Sequence, residues 1–288
     1  MSRNPYILDG QEPTVRDSVF VLMDILGYSD LMNQASKNNS HNSTLRALHD
    51  ALSDGRKDLE DRDLPIELQA LGEKDLFTLK AFTDNIVIGW PVHSDAEAEF
   101  GNAFMRLSAF QFKMAIRGYF VRGAISVGPA YIDEIAVSGD ALMESYQGES
   151  KLARDPRIIL TNSAVTAAKR HIEYYGKPEY APHVRDILKD ADGQWFLNYL
   201  DTVLIAEHEH GPFYEELLMH KQAVELKLDI HKDNPPIWSK YAWVASYHNY
   251  FCDLHPSYFN DDHKIDVDLY KASPSLIIEA SDLLNQAR

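Results

Sequence analysis

Apolar residues gather first in the run SVFVLMD, Ser18 to Asp24, which ends on a carboxylate and passes into a glycine loop at Gly27. A run so short, closed by a turn signal, predicts a buried strand. Residues 28–53 then predict a helix with Leu31, Leu45, Leu48 and Leu52 toward the core, and the polar stretch SKNNSHNS is a natural break in it. Arg56 to Pro65 has the composition of a charged connector. In DLFTLKAFTDNIVIGWPV two apolar runs flank Thr83-Asp84-Asn85. Asp and Asn accept the backbone angles of tight turns, so a hairpin with Asp84 at its tip is predicted. Between Ser94 and Arg117, Phe100, Ala103, Phe104, Leu107 and Met114 recur at helical spacing. Ser94 with Glu97 has the spacing of a capping box, and Gly118 closes the helix. YFVRGAISVGPAYIDEIAVSG predicts two further strands around Gly128-Pro129.

The resulting order, β-α-β-β-α-β, is the signature of a ferredoxin-like α+β sheet. A helix from about Asp140 to Ala153, a strand at RIIL and a helix at SAVTAAKRHI extend it. Past Asp192 the texture changes. FLNYLDTVLIA predicts a strand, and FYEELLMHKQAVELKLDIH and IWSKYAWVASYHNYF predict two helices separated by Asn234-Pro235-Pro236. The expected organisation is a mobile lead-in over 1–17, an α+β catalytic-type domain over 18–175 and a mainly helical extension over 176–288.

Charge and cysteine content narrow the function. Twenty-eight basic against 44 acidic residues in a chain of 288 give a net charge of −16. That balance argues against a nucleic-acid or anionic-membrane surface, yet allows an anionic small ligand neutralised by a metal or a few local cations. Cys252 is the single cysteine, which excludes an intrachain disulfide and a cysteine-based zinc site and fits the reducing cytoplasm. No run approaches the roughly 18 apolar residues of a membrane helix.

Asp24 closes the first strand and Asp84 tips the hairpin. In the predicted sheet the first strand is central and lies beside a hairpin strand, so both carboxylates can meet at one end. Two aspartates there suit Mg²⁺ or Mn²⁺, hard cations that prefer oxygen and can bridge phosphates. Backbone amides at Gly27, Tyr28 and Ser29 are candidate phosphate donors. Taken singly, Asp24 is an ordinary helix cap and Asp84 an ordinary turn residue. Strand alternation puts Phe20 and Leu22 on the face of Asp24, making Phe20 either a core residue or the floor of a nucleobase pocket.

These residues carry a resemblance. DILGYS, Asp24 to Ser29, resembles the D-I-x-G-F-[ST] motif of class III nucleotidyl cyclases. KAFTD, Lys80 to Asp84, resembles their K-x-x-G-D hairpin, with Thr83 in place of glycine, and RGAISVGPAYIDEIAVSGDAL resembles the next hairpin and helix start. The similarity spans residue 18 to about 160. FTDNIVIG, FVRGAISVG, SGDAL, PRIIL and KYAWVASYHNYF are most similar to the pyrimidine cyclases of the Pycsar anti-phage system. The resemblance implies a homodimer with active sites at the interface. It implies conversion of UTP, or else CTP, to the 3′,5′-cyclic monophosphate, which a downstream effector senses. It assigns two divalent ions to Asp24, Asp84 and the backbone carbonyl of Ile25, and gives Lys80 a place at the base.

One departure is plain. The family draws a transition-state Asn and Arg from the helix after the second hairpin, where this chain has Met143 and Gln147. Arg122, Lys151 and Arg154 are the candidate replacements. A purine cyclase on the same scaffold, or a non-catalytic nucleotide-binding module, are the alternative readings. His208 and His210 lack an evident third ligand, and Asp261, Asp262 and His263 fit a solvated loop.

Overall fold

The computed structural model describes residues 4–7, 12–60, 77–82, 84–205 and 207–271. Thr83 and much of the charged connector lie outside them. Strand β1 (Arg16–Ile25) is followed by helices α1 (Tyr28–Lys37) and α2 (His41–Glu60), then β2 (Thr78–Phe82) and β3 (Asn85–Pro91). Helix α3 (Glu97–Ile116) leads into β4 (Val121–Ile132), and β5 (Val137–Ser138) folds back on it. The order β2-β3-β1-β4, antiparallel throughout, is the ferredoxin-like arrangement the sequence predicts. Helix α4 (Asp140–Gln147), β6 (Ile158–Leu160), α5 (Asn162–Tyr174), β7 (Ile187–Lys189) and β8 (Trp195–Leu197) extend it, with β6 parallel to β4.

Alternation along β1 divides the core. Val19, Val21, Met23 and Ile25 join Ile86, Ile88 and Trp90 on one face, under Leu48 of α2 and Phe100, Phe104, Leu107 and Met114 of α3. Phe20 and Leu22 face the other way, with Val87, Tyr6, Ile132 and Ala141. Helix α4 is seated on that second face by buried hydroxyls: Ser126 Oγ donates to the Ala141 carbonyl at 2.7 Å and lies 2.8 Å from Ser145 Oγ.

The first helical stretch is two helices, broken as expected within SKNNSHNS, at Asn39, whose φ of 53° is one that Asn tolerates. Several other expectations change. Leu48 is buried, but Leu45 is exposed. Helix α2 runs on to Glu60, through the first part of the expected connector. No capping box forms at α3. Ala96 precedes it with φ 75°, and Asp95 Oδ1 takes the Glu97 amide at 3.2 Å. Gly128 and Pro129 are not a turn but lie in the ladder opposite Ser18 and Asp17. The turn comes at Asp133, whose carboxylate accepts the amides of Ile135 and Ala136 at 2.7 and 2.6 Å. The predicted strand FLNYLDTVLIA stops at Leu197, because Asn198 turns its side chain onto the Arg185 carbonyl and a 3₁₀ helix follows over Tyr199–Leu204.

The chain forms two compact units, the first ending at His220 and the second beginning at Lys221. The sheet therefore continues past residue 175, and the expected boundary there falls inside the first unit. The second unit begins within α6 (Tyr214–His231) and contains α7 (Pro235–Leu254), where Pro235 and Pro236 occupy the first turn instead of standing between helices. Cys252 is buried in it. No helix among the described residues is long and apolar enough to cross a membrane.

Where it is described, the expected mobile lead-in packs against the sheet. Tyr6 is fully buried, donates to Ser18 Oγ at 2.9 Å and meets Tyr131 edge-on. Asn4 donates to the Ile132 carbonyl at 2.9 Å and accepts from Thr78 Oγ1 at 3.1 Å. Tyr6→Ala should lower stability in urea unfolding by about 3 kcal/mol. A mobile segment would give less than about 0.5 kcal/mol.

Candidate active site

Register brings the acids together. Asp24 pairs with Asn85 on β3 and with Arg122 on β4, and cross-strand partners share a face. Asp84, one residue before β3, accepts the Ile25 amide on its backbone carbonyl at 3.2 Å. Its carboxylate comes within hydrogen-bonding reach of Asp24 and takes the Asn85 side-chain amide at 3.1 Å. The two aspartates therefore meet at the end of adjacent strands, as the predicted topology requires.

Arg122 neutralises part of this charge. Its Nε and Nη2 donate to Asp24 Oδ2 at 3.2 and 3.1 Å, and Nη2 lies 2.8 Å from Glu149 Oε1. Glu149 comes from a π-helical turn, Gly148–Leu152, that follows α4. A Cβ on Gly148 would stand 2.7 Å from Ala124 Cβ and 3.1 Å from Thr161 Cγ2, so only glycine lets the turn sit so close to β4 and β6. Burial pushes the Asp24 carboxyl up to about 6, opposed by Arg122 and reinforced by Asp84. Glu149 is raised as well, by burial first, against Arg122 and with Asp84. Even with the guanidinium in place, the site favours more positive charge than it holds.

The other candidates separate. Gly27 takes the left-handed conformation, φ 77°, at the start of α1, and no side chain caps that helix. The amides of Tyr28 and Ser29 open its first turn, with Asp30 beside them. Ile25 is buried in the core by its side chain, leaving only its backbone for a ligand role. Lys80 pairs with Val87, which pairs with Leu22, so it stands on the Asp24 face two strands away. Phe20 is fully buried. It belongs to the core beneath α4, which removes it as a floor for a base. Arg154 pairs with buried Asp155 at 3.2 Å, and Lys151 is exposed. Arg122 is the candidate cation that the structure pairs with Asp24. Met143 and Gln147 are both exposed on α4.

Sequence reasoning missed Glu149, which sits in the polar stretch QGES inside an expected helix. It also missed Arg157, fully buried, which pairs with Asp190 and Asp192 and so ties β6 to the turn between β7 and β8. Among the described residues, no three His, Cys, Asp or Glu side chains gather to cage a metal. The aspartate pair fits a divalent cation whose remaining positions are filled by other oxygens, of water or of a phosphate ligand.

The fold is α+β, with an acidic pair at one end of a ferredoxin-like sheet. A class III adenylyl cyclase-like ATP-binding protein from Pseudomonas aeruginosa is a distant structural neighbour, with TM-score 0.43 and 12% identity, over 64% of this chain and 44% of that one. This chain thus matches less than half of that protein's length. No family model matches the sequence, and no curated protein does. Strand order and connectivity define the architecture.

The Asp24 shift sets a pH dependence. A carboxyl raised from 3.8 to about 6 on folding contributes stability below its unfolded value and loses it as pH rises through the folded value. In EDTA, Asp24→Asn should therefore gain stability over the wild type between about pH 5 and pH 8, by on the order of 1 kcal/mol. Urea midpoints at the two pH values measure it. A constant difference would contradict the shift.

Proposed function

We propose that the protein is a metal-dependent nucleotidyl cyclase, acting on a pyrimidine nucleoside triphosphate, UTP before CTP. The observation that carries the reading is the meeting of Asp24 and Asp84 at the end of adjacent strands, in a site short of positive charge. The carboxylates of Asp24 and Asp84, with the Ile25 carbonyl, would hold two divalent ions, Mn²⁺ or Mg²⁺. When bound, such ions acidify the ribose 3′-hydroxyl and neutralise the triphosphate as pyrophosphate leaves.

The chain's own groups do the rest. The amides of Gly27, Tyr28 and Ser29 receive phosphate oxygens at the uncapped start of α1. Arg122 supplies fixed positive charge beside Asp24, in place of the pair absent at Met143 and Gln147. Lys80, on the same face, would meet the base edge. The pyrimidine preference, the homodimer with shared active sites, the cytoplasmic setting and the cyclic product as an anti-phage messenger sensed by an effector all come from the sequence resemblance.

Incubation with each of the four nucleoside triphosphates and Mn²⁺, followed by chromatography, tests the reaction and the base together. A cyclic pyrimidine monophosphate is expected. Asp84→Ala should reduce its formation by at least about 100-fold. A cyclic purine product would move the substrate to ATP or GTP. Nucleotide binding without turnover, identical in wild type and Asp24→Ala, would replace the enzyme with a binding module.

A further inference from the structure

The same Arg122 nitrogen, Nη2, lies 3.1 Å from Asp24 Oδ2 and 2.8 Å from Glu149 Oε1. These two acids differ in kind. Asp24 sits at a strand end, its side chain 18% exposed, with Asp84 beside it. Glu149 is 8% exposed and held by a π turn seated on β4 and β6. Turns of this kind insert a residue into a helical path and re-aim a side chain, often at functional sites.

A guanidinium paired to Asp24 competes with any cation that needs the same carboxylate. If Asp24 were its only partner, a metal ion would have to leave a half-buried arginine unpaired, and removing one partner of a buried ion pair is strongly unfavourable. Glu149 supplies a second anchor that no step of the proposed reaction uses. We infer that Glu149 is a positioning residue: it retains the Arg122 guanidinium beside the site while Asp24 turns to a divalent cation. This rests on the cyclase reading and deepens it. The site would hold metal and arginine together instead of one or the other, and Glu149 would act on the metal only through Arg122.

Binding of Mn²⁺ alone to the full chain, followed by the electron paramagnetic resonance of the free ion, tests this without turnover. Wild type, Glu149→Gln, Arg122→Gln and the double variant form the cycle, with Asp24→Asn as the control for binding at the site. Glu149→Gln should weaken Mn²⁺ about fivefold, at the low end of coupling between sites. In the Arg122→Gln background the same change should cost less than about twofold, because the competitor is gone. An equal loss in both backgrounds would make Glu149 a direct partner of the ion and overturn the inference, as would no loss in the single variant. If Glu149→Gln does not fold, Glu149→Asp, with its shorter arm, must weaken Mn²⁺ in the same background-dependent way. Wild type that binds no more Mn²⁺ than Asp24→Asn would instead defeat the cyclase reading, and this inference with it.

Discussion

The pairing of β1 with β3 on one side and β4 on the other is the constraint on which the site depends. It sets Asp24 opposite Asn85 and Arg122 in one register, and it is closed at the tip by the Ile25 amide on the Asp84 carbonyl. A slip of one residue would turn Asp24 into the face packed by α2 and α3 and expose Met23 and Ile25 in its place. The apolar residues of β1 therefore do more than stabilise the sheet. By fixing the register, Val19, Val21 and Met23 fix where the carboxylates point.

Charge at that end is unevenly balanced. Three acids, Asp24, Asp84 and Glu149, influence one another around a single guanidinium. Burial makes the charges of Asp24 and Glu149 more costly than they would be in water, and Arg122 offsets only part of that. An arrangement that stores such an imbalance serves stability poorly and suits a site that takes up a cation. The exposed turn at Gly27 and the uncapped first turn of α1 lie next along the chain, where an anion accompanying that cation would find backbone donors.

The sequence made the aspartates legible because each stands at the boundary of an element, where a carboxylate after an apolar run needs a reason. Strand alternation likewise placed Phe20 and Leu22 together on one face. Alternation does not say what covers a face. Helix α4, held by Ser126 and Ser145, lies over Phe20, and neither serine looks different from a surface residue in the sequence. Glu149 was hidden for a related reason: its burial comes from the wide turn after α4, which has no periodic signature. The Gly128-Pro129 reading failed because long-range pairing with β1 outweighed a local turn preference, while Asp133 made the turn with its own side chain.

Residues 4–7 join strands that are far apart in the chain. Asn4 links the end of β4 to the start of β2, and Tyr6 fills the space between them. Among the described residues strand β2 is the outermost of the sheet on that side, paired with β3 in the ladder, and it carries Lys80. Residues 4–7 thus act as a splint for the edge that carries Lys80. A fusion or trimming at the amino terminus would be felt there, more than sixty residues away in sequence, before it disturbed the carboxylates at the opposite end of β1.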